Sequence, residues 1–434
     1  MVIEPQPEHQ PESQPEPPPE SQPETRPEAH PERQPEASPH LASGPVPRPV
    51  ADLAPLLAWL RDGRVAGERT DFPAGTALPD GRLDLCKQQL GPKGAELVAD
   101  ALRPGPVRHL LLGTDGLGDA GAGAVAGKAA EAAVETLYLG CNGITSGGAC
   151  RIADRLKASP SVVTGLWLKR NPLGAGGGAA AAGLVESART LRTLDLVQTG
   201  LDVPGLTELC TALLAAAHSG RRVHRLYLGG NPLGPEGAEP LSRLLSAGAV
   251  GELYVSAARL GDGGALLLAE ALTRAPYGGL NRISLASNGI GPQAAAQLVT
   301  AAAVAGVEVC DLGRVRAAGA LGAADNRIDE AAAHTIAATL GDGRPHRLSH
   351  LVLTHTGMRS REAHRLLDGA QHAATPTRYL LGKGIAGSVR GRLNALAAPL
   401  PPRPPLPADV AAVRSVHRTA MTPAAPADDD PLTP

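Results

Sequence analysis

Aromatic residues are almost missing from this chain: two Trp, five Tyr and one Phe among 434 residues. Any core is therefore built from Leu, Val, Ile and Ala, which the 43% hydrophobic content can supply. Cysteine is sparse as well. Cys86, Cys141, Cys150, Cys210 and Cys310 are odd in number, far apart and without a CxxC. That pattern argues against a disulfide scaffold or a zinc site and fits free thiols in a reducing compartment. No apolar run reaches the roughly 18 residues of a membrane-spanning helix. The opening MVIEPQPEHQ carries neither a basic nor an apolar targeting region. A cytoplasmic protein without membrane contact is expected. A net charge of −2 argues against general binding to nucleic acid or anionic membrane surfaces. Lysine supplies only six of 41 basic residues, a compositional bias without functional content.

Glycine (52) and proline (41) are abundant, and proline gathers at both ends. From Pro7 to Ser38 the chain repeats Pro-Glu-x-x eight times, and nine Glu against two Arg give the first 40 residues a charge of about −7. Such a segment buries too little apolar surface to offset its conformational entropy. Residues 1–44 are predicted to be a disordered, polyproline-II-like arm, and the proline-rich residues 401–434 a disordered tail. Removing both leaves residues 41–400 near +6, so the near-zero total hides a mildly basic body.

Between the ends the chain repeats itself. Leu137-Tyr-Leu139-Gly-Cys-Asn142-Gly-Ile144 recurs as Leu166-Trp-Leu168-Lys-Arg-Asn171-Pro-Leu173. It recurs again as Leu226-Tyr-Leu228-Gly-Gly-Asn231-Pro-Leu233 and as Ile283-Ser-Leu285-Ala-Ser-Asn288-Gly-Ile290. Looser copies start at Leu83, Leu110, Leu194, Leu253 and Leu351, with steps from Leu83 to Ile283 of 27, 27, 29, 28, 32, 27 and 30 residues. A ninth copy is interrupted: Cys310-Asp-Leu312 supplies its strand and Asn326-Arg-Ile328 its turn. An eleventh, degenerate unit is placed at Leu380.

Each copy changes period halfway. Leu-x-Leu alternates as a strand with one buried face. A Gly-x-x-Gly-Ala stretch comes next, with apolar residues at helical spacing such as Leu97, Ala101 and Leu102, or Leu268 and Leu272. One strand and one helix cannot bury their own core, whereas stacked units can. Helices are wider than the strand spacing of about 4.8 Å, so the stack bends. The pattern LxLxxNxLGxxGAxxLAxxL resembles the leucine-rich repeat in its ribonuclease-inhibitor-like subclass. The resemblance implies an α/β solenoid with a parallel sheet on the concave face and helices on the convex face. Its expected organisation is a capping region at 45–80, about ten repeats over 81–375 and a second cap at 376–400. The amphipathic stretch 49–66 is expected to cover the open N-terminal end.

Regular recurrence argues against catalysis by Asn142, Asn171, Asn231, Asn288 and Asn326. In the resembling family an Asn here is a ladder rung that satisfies buried backbone groups. Gln88, Asp115, Thr199 and Thr356 stand in equivalent places, while Ala258 cannot serve and marks repeat seven as weak. Ala122 to Ala129 imitates a phosphate loop, but it lacks the first glycine and has Ala129 where a hydroxyl is needed. His346, His350, His355, His364 and His372 cluster in sequence without the Cys or carboxylate that would complete a metal site. No catalytic motif, metal or cofactor is expected.

The residue between the two leucines of each strand points away from the core. In repeats one to eight this row reads Asp84, Leu111, Tyr138, Trp167, Asp195, Tyr227, Tyr254 and Ser284, taking four of the eight aromatics. Charges flank it: Arg82, His109, Arg225, Glu252 and Arg282 on one side, Lys169, Arg170 and Lys87 on the other. Rigid aromatics ringed by mixed charge suit protein recognition. Aromatic stacking across strands also supports a sheet by itself. The expectation is a monomeric module that binds another protein through Tyr138, Trp167, Asp195, Tyr227, Tyr254, Lys169, Arg170, Arg225, Glu252 and Arg282. The row should face the open hollow, so that truncating Trp167 removes little core. The insertion at residues 313–325 should project from the strand ends, either offering Arg314 and Arg316 to an acidic partner or standing as a tolerated insertion with no role. Ran GTPase-activating proteins have similar repeats, which makes regulation of a small GTPase the alternative, although no catalytic arginine can be matched. An adaptor or effector presenting a bound substrate is the other.

Overall fold

The structure is a computed structural model that describes residues 46–402 and 404–413. The Pro-Glu arm and the chain after residue 413 lie outside the described residues. Strands form at Thr70–Phe72 (β1), Gly75–Ala77 (β2), Arg82–Asp84 (β3), His109–Leu111 (β4), Thr136–Tyr138 (β5), Gly165–Trp167 (β6) and Thr193–Asp195 (β7). They continue at Val223–Tyr227 (β8), Val250–Tyr254 (β9), Arg282–Ser284 (β10), Val309–Asp311 (β11), His350–Leu353 (β12) and Arg378–Leu381 (β13). The helices are Ala54–Asp62 (α1), Gly91–Ala101 (α2), Gly118–Glu131 (α3), Ser146–Leu156 (α4), Gly177–Ser187 (α5) and Val203–His218 (α6). After them come Ala238–Ser246 (α7), Gly261–Arg274 (α8), Pro292–Val304 (α9), Glu330–Leu340 (α10), Ser360–Ala370 (α11), Gly387–Leu396 (α12) and Ala408–Ala412 (α13).

The thirteen strands pair in sequence order, antiparallel for β1–β2–β3 and parallel from β3 to β13. Helices alternate with the parallel strands, giving the expected α/β solenoid. The register aligns Leu83, Leu110, Leu137, Leu166, Leu194, Leu226, Leu253, Ile283, Cys310 and Leu351, all fully buried. The next residue in that inward row is Tyr379, paired with Leu351, and Leu380 falls on the concave side. The eleventh unit is therefore shifted by one residue from its expected start, and in a strand one residue exchanges the two faces.

The convex helices pack through small residues. The loop-like Ala122–Ala129 segment lies within α3, where Ala122, Val125, Ala126 and Ala129 are buried. Between α5 and α6 the backbones nearly touch, since a Cβ on Gly178 would lie 2.1 Å from the Gly205 Cα. At the N-terminal end α1 buries Leu56, Leu57 and Leu60. The hairpin β1–β2 that joins it to the sheet has no counterpart in the sequence expectations. Its turn glycine, Gly75, has φ +132° and leaves no room for a Cβ, which would meet Leu85 Cδ2 at 2.4 Å.

In nine repeats the turn after the strand imposes one left-handed residue just before the rung position: Lys87, Thr114, Cys141, Arg170, Gln198, Gly230, Ala257, Ser287 and His355, with φ between 53° and 70°. Only one of these is glycine, so most of these turns hold a non-glycine residue in a strained conformation, braced where a polar rung side chain stands next to it. In four of these turns that side chain is an asparagine, and with Asn326 of the interrupted ninth repeat they form a ladder. Asn171 Oδ1 accepts from the Asn142 and Ile144 N–H groups (2.9 and 3.1 Å), and its Nδ2 donates to Leu139 O and Leu168 O (2.9 and 2.8 Å). Asn142, Asn231, Asn288 and Asn326 make the same two-sided connections, and all five are buried. Where Thr199 or Ala258 takes the place, the preceding turn closes differently. Leu173 N–H then donates to Asn171 O, and Leu233 N–H to Asn231 O, both at 2.9 Å.

Candidate functional site: the concave face and its cover

The strand register places Asp84, Leu111, Tyr138, Trp167, Asp195, Tyr227, Tyr254 and Ser284 side by side in one concave row. It does not leave them open. Trp167 is 0% exposed, Tyr227 4% and Tyr138 5%. The expectation of a solvent-facing Trp167 is thus wrong, for a reason that lies far away in the sequence. Val410, on α13, joins Cys86, Leu111, Tyr138, Trp167 and Tyr227 in one apolar cluster, with Val197, Tyr254 and Val413 packed at its edge. Part of the tail expected to be disordered is therefore a short helix seated on the concave face. Pro407 starts it, and the Val410 and Ala411 N–H groups bond Pro407 O at 3.0 and 2.8 Å.

Beneath this cover the aromatic row is joined more tightly than two neighbouring pairs. Tyr227 stacks on Tyr254 with centroids 4.2 Å apart and 14° between planes. Trp167 and Tyr227 also meet, at 5.3 Å, although β7 separates their strands. Their rings therefore close over Asp195, the β7 residue between them. Burial of the Asp195 carboxylate pushes its pKa up to about 6, opposed by the Lys169 charge and by a hydrogen bond from Val197 N–H at 2.9 Å. The Lys169 ammonium lies 5.4 Å from the Tyr138 ring centroid and the Arg282 guanidinium 5.9 Å from that of Tyr254. Burial raises the Tyr227 and Tyr254 phenols well above their ordinary range, so both stay neutral hydrogen-bonding groups.

A polar chain runs beside the rings on the flanking row. Tyr254 Oη donates to Glu252 Oε2 at 2.6 Å, and Glu252 Oε1 lies 3.6 Å from Arg225 Nε. Arg225 Nη1 donates to Thr193 Oγ1 at 3.0 Å and reaches Asp409 Oδ2 at 3.4 Å. Thr193 Oγ1 donates to the same Asp409 oxygen at 2.5 Å. Asp409 precedes Val410, so one short segment places a carboxylate and an aliphatic side chain at once. On the other rim Arg170 donates to Gln198 Oε1 at 2.6 Å and stays exposed.

Sequence reasoning brought together the five central residues, Arg225, Glu252 and Arg282, but missed Gly165, Thr193, Asp409 and Val410. One signal was present: Pro407 followed by Ala-Asp-Val-Ala-Ala-Val reads as a helix start with valines three apart. The repeat-nine insertion also behaves otherwise than expected. It lies back over its neighbours, with an Arg314–Asp325 ion pair (3.4 Å) and a bond from Val315 N–H to Ser287 Oγ (3.1 Å). Arg259 donates to Leu321 O at 3.0 Å, and Leu321 sits against Gly230 of repeat six. Among the described residues no group of three or more His, Cys, Asp or Glu is placed to hold a metal ion. No helix among them is long and apolar enough to cross a membrane.

Comparison with known proteins agrees with the repeat. The leucine-rich-repeat family pattern matches residues 223–242. Over 91 residues the chain is 40% identical to the ribonuclease inhibitor of Sus scrofa, covering 21% of this chain and 19% of that protein. The match thus spans about a fifth of that curated relative's length. Among solved structures, the leucine-rich repeat-containing protein LegL7 from Legionella pneumophila aligns with a TM-score of 0.44 and 17% identity, covering 74% of this chain and 91% of that one. A chain from the yeast Rad7 and Elc1 complex gives 0.40 and 13%, covering 74% and 80%. The strand–turn–helix units with their asparagine rungs are leucine-rich repeats, and over the 91 matched residues the chain is similar to the ribonuclease inhibitor.

Proposed function

We propose that this protein is a recognition module that binds a partner protein on its concave face, without catalysis of its own. One observation carries the reading: the aromatic row already holds a chain segment, through apolar contacts to Tyr138, Trp167 and Tyr227 and a carboxylate held by Thr193 and Arg225. A surface that packs a separate helix around aromatic anchors and a partly buried ion pair has the composition of a protein-binding hot spot. The rim residues Lys169 and Arg170 are less buried than the rings, so their charge acts on an approaching partner more than on the fold. The test is affinity capture from native lysate with the unaltered chain and with an Arg170→Glu variant, Arg170 being the exposed rim residue. The variant should keep its melting temperature within about a degree and lose most of a specifically captured protein. Equal capture by the two chains would remove the concave face from the function.

A further inference from the structure

We infer that the trench over Tyr138, Trp167 and Tyr227 is a seat for a short linear peptide that sets a carboxylate beside Thr193 and Arg225 and an aliphatic side chain on the rings. Residues 404–413 occupy this seat in cis and must leave it before a partner's segment of the same acidic–aliphatic chemistry enters. The inference rests on the recognition reading above and names the ligand chemistry of that site.

The seat is built into the sheet. Along the flanking row the residues run Arg82, His109, Thr136, Gly165, Thr193, Arg225, Glu252 and Arg282, with small side chains in the middle. Gly165 leaves a notch: a Cβ there would lie 3.3 Å from the Asp409 Cβ and crowd it. The notch opens toward a fixed positive charge, because Glu252 and Thr193 hold Arg225 from two sides and leave its Nη1 on the carboxylate. The Arg225 and Asp409 side chains are only 14% and 12% exposed, so a neutral residue in place of the acid would leave a guanidinium poorly solvated. Beside the notch the rings accept Val410, which is 8% exposed. Selection is therefore for an acidic residue followed directly by an aliphatic one, on a helical turn.

The cis occupant is poorly suited to be permanent. Its helix has five residues, far below the length at which a helix holds by itself. It hangs on the proline-rich stretch 401–407 and contributes one buried valine to a cluster separate from the continuous core of the solenoid. It also leaves the buried Trp167 Nε1 without an acceptor among the described residues. A partner segment with the same Asp-Val pair and an acceptor for that N–H satisfies a group the cis segment does not. The cis segment competes through its tether, whose effective concentration is on the order of millimolar.

The test uses the full-length chain and a fluorescein-labelled peptide of residues 404–413, followed by anisotropy. Val410→Asp in the chain should unseat the cis helix, read directly as increased acrylamide quenching of Trp167, with Trp59 as the unchanged reference. The opened chain should bind the peptide at least about tenfold more tightly than the unaltered chain. Asp409→Asn in the peptide, or Arg225→Ala in the opened chain, should weaken that binding by about tenfold or more. Continued protection of Trp167 in the Val410→Asp chain would overturn the inference, since the segment would not be the cover. Exposure of Trp167 without peptide binding, or binding indifferent to Asp409→Asn, would overturn it as well. Neither result touches the lysate capture with the rim variant, so the recognition reading stands or falls separately.

Discussion

Asp115 occupies a rung of the ladder with the wrong chemistry, and replacing it by Asn should stabilise the protein in a pH-dependent way. Its Oδ1 behaves as an asparagine would, accepting from Gln88 N–H at 2.6 Å. Its Oδ2 is buried and has no partner among the described residues. One rung on, Asn142 Nδ2 fills the equivalent place by donating to Leu112 O and Leu139 O at 2.7 and 2.9 Å. By the repeat, Asp115 Oδ2 looks toward the Leu85 and Leu112 carbonyls, so an ionised oxygen faces acceptors. Burial is the larger cause pushing this carboxyl up to about 7, against the lowering effect of the Gln88, Gln89 and Leu90 N–H groups. A folded pKa above the unfolded one means the folded chain holds the proton more tightly. Stability from this group is then full below about pH 4 and is lost as pH rises toward 7, with little further change above. Three units correspond to about 4 kcal/mol in all, of which about 2–3 kcal/mol falls between pH 5 and pH 8. Asp115→Asn removes the titration and supplies the missing donor. Urea midpoints at pH 5, 6.5 and 8 should show the variant gaining on the parent by that amount, with unchanged slope. Asp195, which titrates in the same direction, is present in both chains and cancels. A gap that stays constant with pH, or a variant less stable than the parent at pH 8, would refute the reasoning.

Trp167→Ala now carries a different expectation from the one local alternation suggests: with the indole fully buried, the loss should approach the roughly 3–5 kcal/mol of a core aromatic. A cost below about 1 kcal/mol in urea unfolding would show that the face is open in solution. Ala258→Asn should restore the missing rung, accepting from the Asn231 and Leu233 N–H groups as Asn171 does from Asn142 and Ile144, for a gain of about 1 kcal/mol. Slower amide exchange at Leu233 is the direct readout. Exchange unchanged or faster there would mean the turn closed by Asn231 O is already as good.

The features legible in the sequence and those hidden from it divide by distance along the chain. The change of period inside each copy is a local signal, and it places Leu137, Leu166 and Leu226 on the buried side and Tyr138, Trp167 and Tyr227 on the other. The asparagines are legible for the same reason, because a rung serves the turn before it and its own turn, within about one repeat. The interrupted ninth copy is legible as an interruption. That its insertion lies back over repeats six to eight depends on Leu321 meeting Gly230, which no repeat pattern encodes. The hairpin β1–β2 escapes because three-residue strands leave no period to detect. Alternation says only that a side chain is outside the core shared by sheet and helices. Whether such a side chain then meets water is decided by whatever else packs there. Here the decision falls to Asp409 and Val410, the former 216 positions from its partner Thr193, in a tail whose proline content reads as disorder. The same separation in sequence that hides the contact is what makes it breakable. The segment that covers the row shares none of the repeat's ladder bonds, so it can leave without unfolding the solenoid.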